Sequence, residues 1–136
     1  LHMTSLRQLV EGEAPRSARL SDRRMVRRNG RPVWAEALRL DAGLLADADH
    51  AALLGPARAF AVVAFVAPAA ADALAPLRAV LDEPGCEAAA SAWNGRCVVR
   101  VLARDGWPLR RQLSRALRVL RGGSLPRVWQ LGGEAA

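Results

Sequence analysis

Apolar and polar positions alternate along two pairs of short segments, and each pair is joined by the dipeptide Asn-Gly. In residues 31–40, alternate positions lie on one face of an extended strand, and that face carries Trp34, Glu36, Leu38 and Leu40. Residues 24–28 precede this segment, separated from it by Asn29-Gly30. Both turn residues accept the positive φ that a two-residue type I′ turn requires. The pattern predicts a β-hairpin here and a second one over residues 86–103, around Asn94-Gly95.

The other apolar segments have the lengths and periods of one buried strand and two helices. Residues 59–66 are apolar on both faces, which is typical of a central strand. Residues 68–81 predict a helix with a leucine stripe, although Pro76 requires that this helix start near Asp72 or kink. A second helix is predicted from about residue 107 to residue 121. Its apolar residues share one face, at Leu109, Leu113, Ala116, Leu117 and Leu120.

The order of these elements predicts an α+β fold. A β-hairpin comes first, and from residue 59 a strand, a helix, two strands and a helix follow, so that two helices lie on a mostly antiparallel sheet. The other segments lack such patterns. Residues 1–3 resemble a cloning scar, and residues 4–20 predict an irregular or weakly extended lead-in. Residues 41–58 predict an acidic segment with a short helical tendency, and residues 124–131 an extended stretch before a tail at 132–136. The folded part is thus expected over residues 21–131.

Composition fits one folded domain and changes the interpretation of the charge. The 136 residues are 51% hydrophobic, all twenty basic residues are arginine, and the net charge is +7. A high positive charge by itself suggests nucleic acid. However, residues 4–40 carry nine arginines against four acids, residues 41–95 two against seven, and residues 96–136 nine against two. This basic, acidic, basic order favours protein partners with complementary patches over one phosphate-binding stripe. No apolar run reaches the roughly 18 residues of a membrane span, so none is predicted.

Few side chains form a pattern with catalytic or metal-binding chemistry. The sequence has no Gly-rich phosphate loop, no metal-spaced His, Cys, Asp or Glu cluster and no Ser/His/Asp set. Cys86 and Cys97 are too few for a disulfide framework, and we interpret them as small core residues. Glu36 stands out, since a charge in an apolar row costs several kcal/mol unless it is paired. The structural interpretation is an ion pair with Arg24 or Arg100, or exposure at a strand edge. The functional one is a carboxylate at an interface or on a metal path.

Several motifs, in order, resemble one protein family. Asn29-Gly30-Arg31-Pro32-Val33-Trp34 leads into a Glu-x-Leu ending at Glu36 and Leu38. Val99-Arg100-Val101-Leu102 is similar to the family's strand "vRfL", and Leu125-Pro126-Arg127-Val128-Trp129 is similar to its C-terminal "LPRiW". Over roughly residues 20–131 these motifs resemble the C-terminal half of the urease accessory protein UreD, also called UreH. That family's chain is about twice as long, so the resemblance implies part of a larger β-rich fold. Leu117 stands where the family has Trp.

The resemblance implies a role and partners without catalysis. UreD-family proteins are cytoplasmic scaffolds, not enzymes, that join UreF and the GTPase UreG, dock on apo-urease and help to pass nickel to its active site. By this resemblance the chain binds no cofactor tightly, and nickel is cargo in transit. Glu36, Arg100, Arg127 and Trp129 are then candidate structural or interface residues. No nickel ligand carries over from the family motifs.

The competing hypothesis is a basic ferredoxin-like module that binds RNA or a small effector. It rests on the strand, helix, strand, strand, helix order and on the arginines of the last helix, which fit nucleic acid as well as a solvated face (Arg110, Arg111, Arg115, Arg118, Arg121). Two Phe and no Tyr, however, offer little for base stacking. If the chain is half of a larger fold, an apolar face or strand edge should remain exposed, and the chain should self-associate.

Overall fold

Strands and short helices make up the part of the chain that the computed structural model describes, which is residues 2–5, 17, 19–46 and 54–130. The strands are β1 (His2–Ser5), β2 (Arg19–Arg28), β3 (Arg31–Asp41), β4 (Ala59–Val66), β5 (Cys86–Trp93) and β6 (Arg96–Ala103). The helices are α1 (Ala42–Ala46), α2 (Leu74–Arg78) and α3 (Gly106–Arg121), with 3₁₀ turns at Ala70–Ala73 and Arg127–Trp129.

Both predicted hairpins form at the Asn-Gly dipeptides. The φ angles are 51° and 76° in Asn29-Gly30, and 47° and 71° in Asn94-Gly95. These positive values match a type I′ turn, which Asn and Gly tolerate better than other residues. β5 and β6 begin and end where the alternation predicted. In the first hairpin, the antiparallel ladder is interrupted by one bulge, between Val26 and Arg27.

Four strands lie side by side in the order β1, β4, β6, β5 and form an antiparallel sheet, which we call the main sheet. β4 and β5 run parallel with β6 between them, and α2 lies on the connection from β4 to β5, which is a split βαβ arrangement. β1 takes the outer position beside β4, where His2 pairs with Val62 and Ser5 with Ala59. The α+β fold class is therefore confirmed.

The first hairpin forms a sheet of its own, whereas the sequence predicted one mostly antiparallel sheet. β2 and β3 pair only with each other among the described strands. Their apolar row packs face to face on the main sheet, through Leu20, Val26, Trp34, Leu38 and Leu40. Pairing at the edge of the main sheet would have left this row in water, at a cost of about 25 cal/mol per Å² of apolar surface. The fold therefore has three layers: the hairpin, the main sheet and the helices.

The main sheet buries side chains on both of its faces. On the helix side, the core contains Val63, Val99, Val101, Leu77, Leu109 and Leu113, all at most 4% exposed. On the hairpin side there are two smaller clusters, one around Leu40 and Phe60 and the other around Trp34, Val62 and Val98. Because side chains alternate along a strand, β4 and β6 contribute to both sides. This agrees with the prediction of a central strand over residues 59–66.

Several segments differ from the prediction. The helix expected from residue 68 is a 3₁₀ turn followed by α2, and Pro76 lies in the first turn of α2, where backbone N–H groups lack helical partners in any case. The irregular or weakly extended lead-in predicted over residues 4–20 includes the end of β1 and the start of β2, which is compatible with its extended alternative. The stretch over residues 124–131 contains a 3₁₀ turn, held by contacts to α3 described below. α1 matches the helical tendency after residue 41, whose continuation at 47–53 lies outside the described residues.

α3 begins and ends at the expected signals. The Asp105 carboxylate accepts a hydrogen bond from the backbone N–H of Trp107 at 3.2 Å, which caps the first turn. Gly122 has a φ of 62° and donates its N–H to the carbonyl of Arg118. On the predicted leucine face, Leu109, Leu113 and Ala116 are buried and Leu117 and Leu120 are partly buried, and the helix also buries two polar residues, Gln112 and Ser114.

Candidate interaction surfaces

Glu36 lies between the two sheets, on the inner face of β3. Trp34, before it, belongs to one apolar cluster and Leu40, after it, to the other. Its Oε1 accepts a hydrogen bond from Nη2 of Arg100 at 3.0 Å, and its Oε2 lies 3.7 Å from Nη1 of Arg24. The Glu36 side chain is 19% exposed and that of Arg100 is 57% exposed. Glu36 thus pairs with both of the arginines that the sequence suggested.

Arg24 extends this cluster across β2. Its Nε donates to Oδ2 of Asp22 at 2.6 Å, so that Asp22, Arg24, Glu36 and Arg100 form a row of alternating charge from β2 through β3 to β6. Each partly buried charge is compensated by a neighbour of opposite sign. A shift of the hairpin by one residue would turn Arg24 and Glu36 to the other face. The row therefore helps to fix the hairpin on the main sheet, while an interface role for Glu36 and Arg100 stays a prediction.

Arg96 forms a second link between the layers, which the sequence analysis did not single out. Its Nη1 donates to the backbone carbonyl of Val33 on β3. Its guanidinium also lies over the ring of Trp93, 5.0 Å from the ring centroid, in a cation–π contact. Because Trp93 and Arg96 flank the Asn94-Gly95 turn, these contacts tie the tip of the second hairpin to the first.

Trp129 and Arg127 lie on the segment that returns along α3 after Gly122. The Trp129 ring is half-buried against the helix-side core, and its backbone carbonyl accepts a hydrogen bond from Oγ of Ser114 at 3.0 Å. The Arg110 guanidinium lies 5.8 Å from the ring centroid of Trp129 and donates to the carbonyl of Val128. Trp129 therefore anchors this segment, whereas Arg127 is exposed beside it.

Exposed apolar side chains flank the same segment. Val128 is 68% exposed, and Trp107, one helical turn before Arg110, is 57% exposed. Arg110 bonds to Val128, and Trp107 lies three residues before Arg110, on the same side of α3. We call Trp107, Arg110, Arg127, Val128 and Trp129 the α3 patch. Tryptophan and arginine are the residues that most often dominate the binding energy of protein interfaces.

Most of the α3 arginines that suggested nucleic acid have acceptors inside the chain. Nε of Arg111 lies 2.9 Å from Oε1 of Glu83, and Nη2 of Arg115 lies 2.5 Å from Oδ1 of Asp82. Arg110 donates to the carbonyl of Val128, as described above. These three side chains therefore hold the connection before β5 and the segment around Val128 in place, and do not form a row that faces phosphate.

Gln112 is a buried polar residue that the sequence analysis missed. It is fully buried; its Oε1 accepts a hydrogen bond from the N–H of Glu83 at 2.9 Å, and its Nε2 donates to the carbonyl of Val80 at 2.8 Å. The sequence signal for it is spacing. Gln112 follows Leu109 by three positions and precedes Ala116 by four, which places it on the apolar face of α3.

Cys86 and Cys97 are free thiols that lie far apart. Cys86 pairs with Ala103 and Cys97 with Ala92, six residues further along the same ladder, which separates the two thiols by about 20 Å. Burial and the nearby Glu83 carboxylate raise the pKa of Cys86 to about 11, and burial also raises the pKa of Cys97. Both thiols therefore stay protonated at neutral pH, which disfavours a nucleophilic role.

Metal ligands do not gather in the part of the chain that the structure describes. Within residues 2–5, 17, 19–46 and 54–130, no three His, Cys, Asp or Glu side chains lie where they could hold one metal ion. Over the same ranges, no helix combines the length and the apolar composition that crossing a membrane requires.

The main sheet bears on the RNA-binding alternative. Ferredoxin-like RNA-binding modules stack bases on the sheet face opposite their helices. β4, β6 and β5 have a ferredoxin-like order, but here the hairpin covers that face of β4 and β6, through Trp34 and Leu40. On β5, Trp93 presents the one aromatic ring. The covered face argues against base stacking.

The chain is thus an α+β protein whose two sheets are linked by an ion pair. It also exposes the α3 patch, which has the composition found at protein interfaces. The chain matches the family model described as UreD urease accessory protein over residues 3–130. It belongs to this family, and the resemblance seen in its sequence motifs is confirmed.

Three curated relatives, each named urease accessory protein UreD, are similar to most of the chain. The one from Paracoccus denitrificans is 56% identical over 126 residues, covering 93% of this chain and 45% of the relative. The one from Cereibacter sphaeroides is 59% identical over 119 residues, covering 88% and 43%. The one from a Methylobacterium species is 44% identical over 126 residues, covering 89% and 45%. The chain thus spans less than half the length of these relatives.

Proposed function

We propose that this chain acts in urease maturation as a non-catalytic scaffold. The observation that carries the proposal is the family match over residues 3–130, with 56% and 59% identity to two relatives named urease accessory protein UreD. The contacts of the described residues agree with a scaffold. Glu36 and Arg100 pair with each other between the layers, and Arg110 holds the segment around Val128. Their polar groups serve the fold and do not converge on a substrate-sized site.

The proposed partners are those that the family resemblance implies: a UreF-type protein, a UreG-type GTPase and apo-urease, in the cytoplasm. Nickel is cargo that passes through this assembly, and the chain holds no cofactor tightly. The α3 patch supports a protein partner because Trp107 and Val128 expose apolar surface beside arginines. Arg127 and Trp129 belong to this patch, Arg127 as an exposed cation and Trp129 as the anchor of the segment.

Coexpression tests this proposal. The tagged chain is expressed with a UreF-type protein, a UreG-type GTPase and urease subunits, and is purified at low and at high salt. We expect the UreF-type protein to co-elute at both salt concentrations, because salt screens apolar contacts far less than exposed charges. Trp107→Ala should weaken this co-elution. Trp93→Ala is the matched control, since Trp93 is also exposed but lies on β5, away from the α3 patch.

Two results would contradict the proposed function. A chain that co-elutes with no urease-related protein, and whose affinity for RNA falls steeply as salt rises, would be the basic RNA-binding module instead. Catalytic turnover that disappears in a folded Glu36→Ala variant would contradict the non-catalytic role.

A further inference from the structure

The first hairpin separates its charges between its two faces. Asp22 and Glu36 point to the main sheet, where they pair with arginines. The outer face is turned away from the main sheet and carries exposed arginines, namely Arg19, Arg23 and Arg27 on β2 and Arg39 on β3. The hairpin thus turns two acids inward and an arginine cluster outward.

Met25 lies at the centre of the outer face. The ladder places it opposite Ala35, with Arg23 opposite Ala37 and Ser21 opposite Arg39. Met25 is 49% exposed, and the small residues across from it leave it raised above the surface. We call Arg19, Arg23, Met25, Arg27 and Arg39 the outer hairpin face.

The fold accounts for one member of this cluster, Arg27, whose Nη1 donates to the backbone carbonyl of Gly30 in the turn at 3.0 Å, but not for Arg23 and Arg39. Arg23 and Arg39 are diagonal neighbours across the ladder, with Cα atoms about 7–8 Å apart, so that their like charges repel each other. Neither has an ion-pair partner among the residues that the structure describes. The acid at the end of this face, Asp41, lies opposite Arg19 and accepts a hydrogen bond from the N–H of Leu44 at 3.0 Å. A preference for arginine over lysine explains the residue type but not the grouping on one face.

We propose that the outer hairpin face docks an acidic protein surface that has an apolar residue at its centre. Arginine and methionine are enriched at protein interfaces, and the arginine fork binds carboxylates through two hydrogen bonds. β2 has ten residues and is about 33 Å long, enough to lie along a folded partner. The inference rests on the proposed function and adds a second binding face to the scaffold. The α3 patch lies on the helix layer, on the other side of the main sheet.

A protein fits this face better than nucleic acid does. Bases of single strands stack on aromatic side chains, and the outer positions of β2 and β3 carry none. A duplex binds rows of cations along its phosphates, and here Met25 with its neighbouring alanines interrupts the row. An acidic rim around an apolar residue matches both the arginines and the methionine.

Charge reversal tests the docking face. Binding of the chain to three purified probes, apo-urease, a UreF-type protein and a UreG-type GTPase, is measured by biolayer interferometry at low and at physiological salt. We expect Arg23→Glu/Arg39→Glu to weaken binding to at least one probe by about tenfold or more and to flatten its salt dependence. Arg104→Glu/Arg121→Glu reverses the same number of charges at exposed positions off this face. That control should stay within about twofold of the wild-type affinity.

A second variant tests the apolar centre. Met25→Ser should weaken binding to the same probe without changing the salt dependence, because it removes apolar contact and leaves every charge in place. Circular dichroism and thermal unfolding check that each variant is folded. If the charge-reversed variant does not fold, Arg23→Gln/Arg39→Gln removes the two charges instead and replaces it.

Three results would overturn the docking face while leaving the proposed function intact. The first is an unchanged affinity of Arg23→Glu/Arg39→Glu for every probe that the wild-type chain binds. The second is an equal loss in the control variant, which would make the effect one of net charge. For the third, a DNA duplex of random sequence is added as a further probe, and a loss of affinity confined to this duplex would assign the face to nucleic acid. A wild-type chain that binds none of the three probes would overturn the proposed function and the docking face together.

Discussion

Gln112 bonds to two backbone groups, one buried and one partly buried. The N–H of Glu83 and the carbonyl of Val80 belong to the connection that leads from α2 into β5. A buried backbone group without a partner costs about 1–3 kcal/mol. One amide side chain of α3 therefore fixes the turn that sets β5 beside β6.

Replacing Gln112 with alanine should lower the free energy of unfolding by about 2–4 kcal/mol, since both backbone groups lose their partner. Urea denaturation followed by circular dichroism measures this change. Gln130→Ala is the matched control, because Gln130 is exposed and makes a single hydrogen bond of this kind, from Nε2 to the carbonyl of Leu125. Gln130→Ala should lower the free energy of unfolding by less than about 1 kcal/mol. Equal losses in the two variants would contradict the role given to Gln112.

The raised pKa of Cys86 makes stability depend on pH in the alkaline range. Below pH 9.0 the thiol is protonated in both the folded and the unfolded chain, so it contributes no pH dependence. Between pH 9.0 and about 11 the unfolded chain releases this proton while the folded chain keeps it, and the folded state loses stability. The sequence has no Lys or Tyr, whose side chains would otherwise titrate in this range, and Cys97, whose pKa burial also raises, acts in the same direction as Cys86.

The thermal midpoint should therefore fall less between pH 9 and 11 in Cys86→Ala than in the wild type. On a Cys97→Ala background, iodoacetamide should label Cys86 slowly at neutral pH and faster as the pH approaches 11, as measured by mass spectrometry. Labelling at neutral pH as fast as that of free cysteine would show that the pKa of this thiol is not raised.

At the level of whole elements, β5 is an outer strand of the main sheet, and Arg78 covers the middle of its open edge. Residues that flank a two-residue hairpin turn form a hydrogen-bonded pair, so that Trp93 and alternate residues before it direct their backbone groups to β6. Ala90 therefore directs its carbonyl to the open edge. Nε and Nη2 of Arg78 donate to it there, at 3.2 and 3.0 Å. An uncovered edge is a template for pairing with another chain.

Arg78→Ala should increase self-association, as measured by sedimentation velocity over a series of protein concentrations. Arg78→Lys keeps the charge but loses the planar fork, and should give an intermediate result. Arg121→Ala removes one charge from α3 and should sediment like the wild type. The expectation that the chain self-associates stays a prediction, and unchanged sedimentation of Arg78→Ala would exclude the β5 edge as its route.

Elements with local signals could be predicted from the sequence. Asn94-Gly95 and the alternation around it define β5 and β6, and Gly122 marks the end of α3. The 3₁₀ turn at Arg127–Trp129 could not be predicted, because the contacts that hold it come from Ser114 and Arg110, 15 and 18 residues earlier. Nor could the division into two sheets, since alternation defines the faces of a strand but not what each face packs against.

For the whole molecule, the three layers predict that the first hairpin can open locally while the main sheet and the helices stay folded. Trp34 is 8% exposed and packs with Val62 and Val98 in a cluster distinct from the helix-side core. Trp34→Ala should cost about 3–5 kcal/mol. Hydrogen exchange followed by mass spectrometry should show faster exchange mainly in β2 and β3, with the helix-facing core still protected.

Trp93→Ala is the matched control for this experiment. Trp93 is 40% exposed and contacts Arg96 at the hairpin tip, so its removal should change exchange little beyond the Asn94-Gly95 turn. A uniform rise in exchange across β4, β6 and α3 in Trp34→Ala would mean that the layers unfold as one unit.

The layered arrangement also decides which parts of the candidate surfaces could be foreseen. Glu36 could be singled out because a charge in an apolar row needs compensation, and the two arginines named for it do pair with it. Arg96 could not, because its acceptor is the backbone carbonyl of Val33, which has no signature in residue type. Arg19, Arg23 and Arg27 stand at odd positions of β2 and so share a face, but only the separate second sheet shows which face that is.

The pairing of β1 with β4 has a consequence for the order in which the chain folds. His2 and Val62 are 60 positions apart, whereas each hairpin closes through a two-residue turn. Hairpins form within about 1–10 μs, while the entropy of closing a loop grows with its length and distant pairings slow folding. The two hairpins should therefore exist before β1 docks. Until it does, the outer edge of β4 is open to pairing with another chain. The chain should therefore be most prone to aggregation late in folding, after the hairpins have formed and before β1 pairs with β4.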